Sequence, residues 1–198
     1  MFTGIIESQA TITKIISENT NKIFWLNSSL APLLKVDQSV SHNGVCLTVE
    51  EVNGENYRVT AVLETLNKTC LNNWNLNDKI NLERSMLLNV RLDGHIVQGH
   101  IDSTATCIDV IEKNGSKEFT FQINESFAGL IIEKGSIAIN GISLTIFNIT
   151  NTNFTVAIIP YTYENTNIKY LNKGDCVNIE FDMVGKYINR SIQLRNIK

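Results

Sequence analysis

Residues 42–49, HNGVCLTV, return almost unchanged at 139–146 as INGISLTI, with Cys46 replaced by Ser143. Ser143 lies 97 positions after Cys46. At the same offset Ser39 matches Ser136, Asn43-Gly44 matches Asn140-Gly141, and Leu47-Thr48 matches Leu144-Thr145. Thr65, Thr69, Asp78, Asn81 and Glu83 match Thr162, Thr166, Asp175, Asn178 and Glu180. Nearer the start the offset is 95, pairing Gly4 with Gly99, Ile6 with Ile101 and Ala10 with Ala105. Polar matches held at a fixed offset mark a duplication, because apolar matches alone recur between any strand-rich segments. Two copies are too few for a solenoid, which needs at least three to bury its faces. The chain therefore reads as two similar domains and a short tail.

Each half is written mostly in strand code. ATITKI, YRVTAVL, DKINLE, FTFQI, SIAINGISLTI, FTVAII and CVNIE are β-branched or alternate in polarity. Turn-rich stretches such as SENTN, VNGEN, EKNGS and NKGD separate them. Many short strands at this spacing predict small barrels or sandwiches. LAPLLK and FAGLIIEKG read as short helices, and VGKYINRSIQLRNIK as an amphipathic one, with Val184, Ile188 and Ile192 at spacing four. Such a tail needs its own chain or a partner to pack on.

The bulk properties exclude several classes. A net charge of −3 and a pI near 5.6 give no global pull toward nucleic acid or anionic membrane. No apolar run is long enough to span a bilayer, and MFTGIIES does not read as a secretory leader. The four cysteines, at 46, 70, 107 and 176, form no CxxC pair and no zinc spacing, so they read as free thiols in a reducing cytoplasm. The abundance of Asn reads as coding bias. No GxGxxG, P-loop, HExxH or GxSxG motif occurs.

Chemistry is therefore sought in the repeat. Cys46 in VCLTV would ordinarily be a small buried hydrophobe. A buried hydroxyl at the matching Ser143 would need a hydrogen-bond partner, so a polar side chain kept in both halves points to a ligand. Residues i and i+2 of a strand share a face, which places Cys46 with Thr48 and Ser143 with Thr145. Such polar matches are expected at inward-facing, paired positions. Asn43-Gly44 and Asn140-Gly141 suit turns or bulges. His95 and His100, five apart in GHIVQGH, are poor co-ligands for one metal, and one of them is expected to act alone as a hydrogen-bond donor or proton shuttle. Glu180 and Asp182 share a strand face, and the carboxylates read as solvated surface groups.

MFTGIIE, SVSHNGVCLTV, LETLNKT, INLER, DGHIVQGHID, KGSIAINGISLTI, IPYTYENT and VNIEFD together resemble the riboflavin synthase α-chain family over the whole chain. The resemblance implies an all-β fold of two tandem six-stranded antiparallel Greek-key barrels with a C-terminal α-helix. The parts are an N-terminal lumazine-binding barrel (1–94), a C-terminal one (95–185) and a trimerisation helix (186–198). It implies a cytoplasmic homotrimer that dismutates two molecules of 6,7-dimethyl-8-ribityllumazine to riboflavin and 5-amino-6-(D-ribitylamino)uracil. This is the final step of riboflavin biosynthesis, and no cofactor or metal is implied. Association with the lumazine synthase that makes the substrate stays open. The other reading is a non-catalytic lumazine- or flavin-binding fluorescent protein of the same fold.

Carried over by motif, the first lumazine site comprises Gly4, Ile5, Ile6, Cys46, Leu47 and Thr48, with Thr60, Ala61, Val62, Leu63, Glu64 and Thr65. The second comprises Ser143, Leu144 and Thr145, with Ala157, Ile158, Ile159, Pro160, Tyr161 and Thr162. Gly99, His100, Ile101 and Lys134 complete the contact from the neighbouring subunit. Ser39, Cys46, His100, Ser143 and Asp182 are the implied chemical participants. Ser143 or Asp182 assists proton removal or addition, His100 shuttles the proton, and Cys46 influences the N-terminal ligand. The family's LERTTL is replaced by YENTNI at 163–168, which removes an Arg at Asn165.

Overall fold

A computed structural model describes residues 1–89 and 91–195. Alternating apolar residues build the strands. In Val45–Asn53, Val45, Leu47 and Val49 point into a core while Cys46, Thr48 and Glu50 point out. The first six strands are β1 (Ser8–Glu18), β2 (Asn21–Asn27), β3 (Ser39–His42), β4 (Val45–Asn53), β5 (Asn56–Ala61) and β6 (Lys79–Arg84). The next six are β7 (Ser103–Lys113), β8 (Ser116–Gln122), β9 (Ser136–Ile139), β10 (Ile142–Phe147), β11 (Asn153–Ile158) and β12 (Cys176–Phe181). Each set closes into an antiparallel barrel, in the order β1-β2-β5-β4-β3-β6 and its repeat equivalent. The third to sixth strands of each set form a Greek key. Register shifts at Ile12/Lys14 and Cys107/Asp109 sit at repeat-related places in β1 and β7, where a bulge bends a long strand around its barrel.

One short α-helix follows the fifth strand of each barrel, α1 (Leu63–Lys68) in the first and α2 (Pro160–Asn165) in the second. Neither was legible as a helix in the sequence, because six residues carry too little periodicity. α3 (Met183–Arg195) closes the chain. Of the tail expected at 186–198, residues 196–198 lie outside the described residues, as does residue 90 of the first domain. The other expected helices are 3₁₀ segments instead, one turn at Ala31–Leu33 and two at Glu125–Leu130. Among the described residues no helix is long and apolar enough to cross a membrane.

The barrels have separate cores, one around Phe24, Tyr57 and Leu82, the other around Phe119, Phe121, Phe154 and Phe181. They meet through their Asn-Gly turns. Asn43 and Asn140 have φ of 47° and 46°, and the following glycines 81° and 80°, as two-residue type I′ hairpins require. A Cβ on Gly44 would lie 2.9 Å from Gly141 N, and one on Gly141 would lie 2.8 Å from Gly44 N. The glycines thus allow both the turns and their mutual approach. Around them Asn81 Nδ2 donates to Asn140 O (3.1 Å) and Asn178 Nδ2 to Asn43 O (2.9 Å). These four asparagines thus hold the two turns together.

The cysteine expectation also needs correction. Cys70 and Cys176 are joined in a disulfide between the barrels, with Cα atoms 6.2 Å apart, while Cys46 and Cys107 are free. The partners are 106 residues apart. Their proximity arises from barrel docking, which cysteine spacing does not encode.

His42 is wholly buried beneath this junction. Its Nδ1–H donates to Val40 O (3.0 Å) and its Nε2 accepts from the Tyr57 hydroxyl (2.9 Å), so the ring is held neutral. Burial lowers its pKa from 6.5 to about 4. Between those values the unfolded chain binds a proton that the folded chain refuses. The stabilisation is complete above pH 6.5 and is lost as pH falls toward 4. We expect this group to remove on the order of 3 kcal/mol across the window. The check is urea unfolding of wild type and His42→Asn at several pH values. Equal pH slopes for the two would refute the assignment.

Candidate functional site: two crossed clefts

Two segments cross from one barrel to the other. Residues 3–6, at the entry to β1, lie on β10 of the second barrel, where Ser143 N donates to Gly4 O (2.8 Å). Residues 98–101, at the entry to β7, lie on β4 of the first barrel, where Cys46 N donates to Gly99 O (2.8 Å). A Cβ on Gly4 would stand 2.6 Å from Ser143 Cβ, and one on Gly99 2.6 Å from Cys46 Cβ. Both glycines also have positive φ, 78° and 82°, so no other residue fits either crossing.

A buried carboxylate anchors each segment. Glu83 accepts from Thr3 N (2.6 Å), Thr3 Oγ1 (2.7 Å) and Gly4 N (2.9 Å). Glu180 accepts from Gln98 N (2.6 Å), Gly99 N (2.8 Å) and His100 N (3.0 Å). With exposures of 4% and 1%, they are not the solvated carboxylates expected from the sequence. Burial pushes both pKa values up, and the surrounding N–H donors draw them back.

The first cleft is a cavity of about 220 Å³. Cys46 forms its floor, Glu64, Thr65 and Lys68 of α1 one wall, and Gly99, His100 and Ile101 the other. Val62 and Leu63 are exposed apolar residues at the start of α1, whereas Leu47 and Ala61 point into the barrel core behind the site. Thr48 is exposed on the same strand face as Cys46, with Ser39 opposite it in the β3–β4 ladder. Thr60 donates to Glu50 Oε2 (3.0 Å).

The repeat-related site in the second barrel has Ser143 on β10 against Gly4, with Ile5 and Ile6 following in the crossing segment and α2 following β11 as α1 follows β5. Ile159 and Tyr161 stay exposed, as do Ala157, Pro160 and Thr145; Ile158 is buried, and Leu144 and Thr162 are half-buried. One difference stands out. Gly94 and His95 lie over Ser143, and the Ser143 hydroxyl is 2.7 Å from His95 Nδ1. His95 is only 8% exposed, and its Nε2 is buried without a partner. Burial lowers its pKa, while the charge of Asp182 pushes it back up. Asp182 Oδ1 also accepts from Val184 N (2.9 Å) at the start of α3. The sulfur-to-oxygen change between the copies thus comes with a hydroxyl gripped by an imidazole.

The motif-based grouping changes accordingly. Gly4 lies against Ser143, so the 4–6 stretch belongs with the second cleft and not with Cys46. The 99–101 stretch reaches Cys46 within one chain, without a neighbouring subunit. The repeated polar pairs face outward from the barrels, not inward. Lys134 holds its ammonium 5.3 Å from the centre of the Phe147 ring. Three further residues join the site, His95, Glu83 and Glu180. The two glutamates carry a usable sequence signal, an acid kept at the repeat offset. For His95 the sequence offers only that one histidine of GHIVQGH could act alone as a hydrogen-bond donor or proton shuttle.

A family model, the lumazine binding domain, matches residues 3–85 and again 98–182. The riboflavin synthase of Bacillus subtilis (strain 168) is 36% identical over 197 residues, covering 99% of this chain and 92% of that protein. The riboflavin synthase of Actinobacillus pleuropneumoniae is 37% identical over 191 residues, covering 96% and 89%. The chain belongs to the riboflavin synthase family. Riboflavin synthases are enzymes of riboflavin biosynthesis, and the Escherichia coli (strain K12) one is 36% identical across 92% of this chain and 87% of its own. The crystal structure of LumP complexed with riboflavin aligns with a TM-score of 0.86, 23% identity, and coverage of 91% of this chain and 99% of that one. LumP complexed with 6,7-dimethyl-8-(1'-D-ribityl) lumazine gives 0.83, at 22% identity and 91% and 98% coverage. At that identity the likeness speaks for the shared fold of this riboflavin synthase family member.

Proposed function

We propose that the chain transfers a four-carbon unit between two molecules of 6,7-dimethyl-8-ribityllumazine, giving riboflavin and 5-amino-6-(D-ribitylamino)uracil. The carrying observation is the pair of repeat-related crossings with different floors, Cys46 against Gly99 in one and Ser143 against Gly4, gripped by His95, in the other. Two copies of one substrate suit two copies of one cleft, and their different roles as donor and acceptor suit the differing floors. Small polar side chains at each site suit the pyrimidine edge of a ligand, and exposed apolar residues beside them suit its flat ring.

The functional units are residues 1–94 and 95–185 as lumazine-binding barrels and 186–198 as a trimerisation helix. In the cytoplasmic homotrimer the first cleft of one subunit faces the second cleft of the next. Val184, Ile188 and Ile192 support this assembly, because they form an apolar face on α3 left 60%, 56% and 52% exposed in the single chain. Catalysis is then chiefly juxtaposition of two bound rings. Ser143 and Asp182 serve proton removal or addition at the second cleft, His100 shuttles the proton at the first, and Ser39 and Cys46 act on the first ligand.

Purified protein supplied with the lumazine alone is expected to form one riboflavin for every two lumazines consumed, followed by riboflavin absorbance. Bound, fluorescent lumazine with no riboflavin formed would favour the non-catalytic reading instead.

A further inference from the structure

The junction between the barrels is stapled twice, at places related by the repeat. At one, Cys70 is bonded to Cys176. Adding the repeat offset to Cys70 gives Asn167, and subtracting it from Cys176 gives Lys79. There Asn167 Nδ2 donates to Lys79 O (2.9 Å), so the second staple is a hydrogen bond. The flanking bonds repeat as well. Cys70 N donates to Asn178 Oδ1 (2.7 Å), and Asn167 N donates to Asn81 Oδ1 (2.7 Å). One half of a symmetric junction is thus covalent and the other half is not. The hydrogen-bonded half shows that this docking geometry holds without a covalent link, and the Asn178 bond keeps Cys70 in place whether or not its sulfur is paired.

We propose that Cys70 and Cys176 form a reversible, redox-responsive clasp between the two barrels. Both cysteines line a groove of about 650 Å³ at the junction, which gives a small thiol or disulfide access to them. Cys176 is the more exposed of the two. Closure takes one equivalent of a low-molecular-weight disulfide such as oxidised glutathione. The Cys176 thiolate attacks one of its sulfurs, breaks that S–S bond and releases one glutathione thiolate. The Cys70 thiolate then attacks Cys176 Sγ in the mixed disulfide and expels the second. Two protein thiols are oxidised, one glutathione disulfide is reduced, and two protons leave. Excess thiol runs the same steps backward. Closure ties the end of α1, which walls the first cleft, to β12, whose Glu180 anchors the opposite wall.

The test uses the purified full-length protein. After equilibration with oxidised glutathione, denatured protein is expected to titrate as two free thiols, and after dithiothreitol as four. Return to oxidised glutathione should restore two. The closed form is expected to melt roughly 10 °C above the open form, because the bond closes a long loop. Cys176→Ser should melt like reduced wild type and ignore dithiothreitol. Four thiols under oxidising conditions, equal melting of the two wild-type states, or a dithiothreitol response in Cys176→Ser would each overturn the clasp. The wild-type comparison decides by itself if the variant fails to fold. A further variant, Lys79→Cys with Asn167→Cys, should gain a second clasp at the mirrored place and titrate as two thiols when oxidised; four thiols there would contradict the equivalence of the staples.

Discussion

Glu180→Ala is expected to unfold roughly 3–5 kcal/mol more easily than wild type and to lose lumazine binding at the first cleft. The carboxylate accepts from three backbone donors, those of Gln98, Gly99 and His100, and is itself almost fully buried. Removing it leaves those N–H groups unpaired and frees the segment that walls the Cys46 cleft. Glu180→Gln should fall between the two, since its amide turns one acceptor into a donor that faces an N–H. Glu83→Ala should produce the same damage at Thr3 and Gly4, and hence at the Ser143 cleft. Urea unfolding gives the stability, and lumazine fluorescence titration counts the remaining sites. If both variants kept wild-type stability and both ligands, the anchoring role would be wrong.

The second large effect belongs to α3. Ile188→Asp combined with Ile192→Asp is expected to turn the proposed trimer into a monomer and to cut turnover by on the order of a hundredfold or more. Each monomer should still bind ligand, because its clefts are built within one chain. What it would lose is the partner subunit that, in the proposed trimer, brings the second ring alongside the first. Effective concentrations of well-oriented reactants are large enough to account for a loss of that size. Analytical ultracentrifugation alongside riboflavin formation provides the check. A fully active monomer would sink the inter-subunit site, and an unperturbed trimer would sink the role of α3.

The duplication and the strand-rich class could be read from the residues because their cause is local, while barrels rather than sandwiches came from the family resemblance. Alternation marks many of the strands, Asn-Gly sets the β3–β4 and β9–β10 hairpins, and polar residues held at one offset reveal the copies. Cys46, Ser143 and their threonines were likewise legible as a pair. The sequence did not show how the copies dock. Gly4 and Gly99 were visible as a match, but that each lies on the other copy's barrel follows from tertiary crossing, which no periodicity records. The same holds for Cys70 and Cys176, and for His95, which gains its role only by lying on Ser143. Glu83 and Glu180 were misread because an isolated carboxylate is usually solvated, while these two are enclosed by the segments they hold.

The crossing of residues 3–6 and 98–101 separates the unit that was copied from the unit that works. A barrel is the inherited piece, yet neither cleft is built from one barrel alone. A chimera joining the first half of this chain to the second half of a relative would therefore carry no parental cleft at all. Both of its ligand sites would be hybrids, each with a floor from one source and a wall from the other.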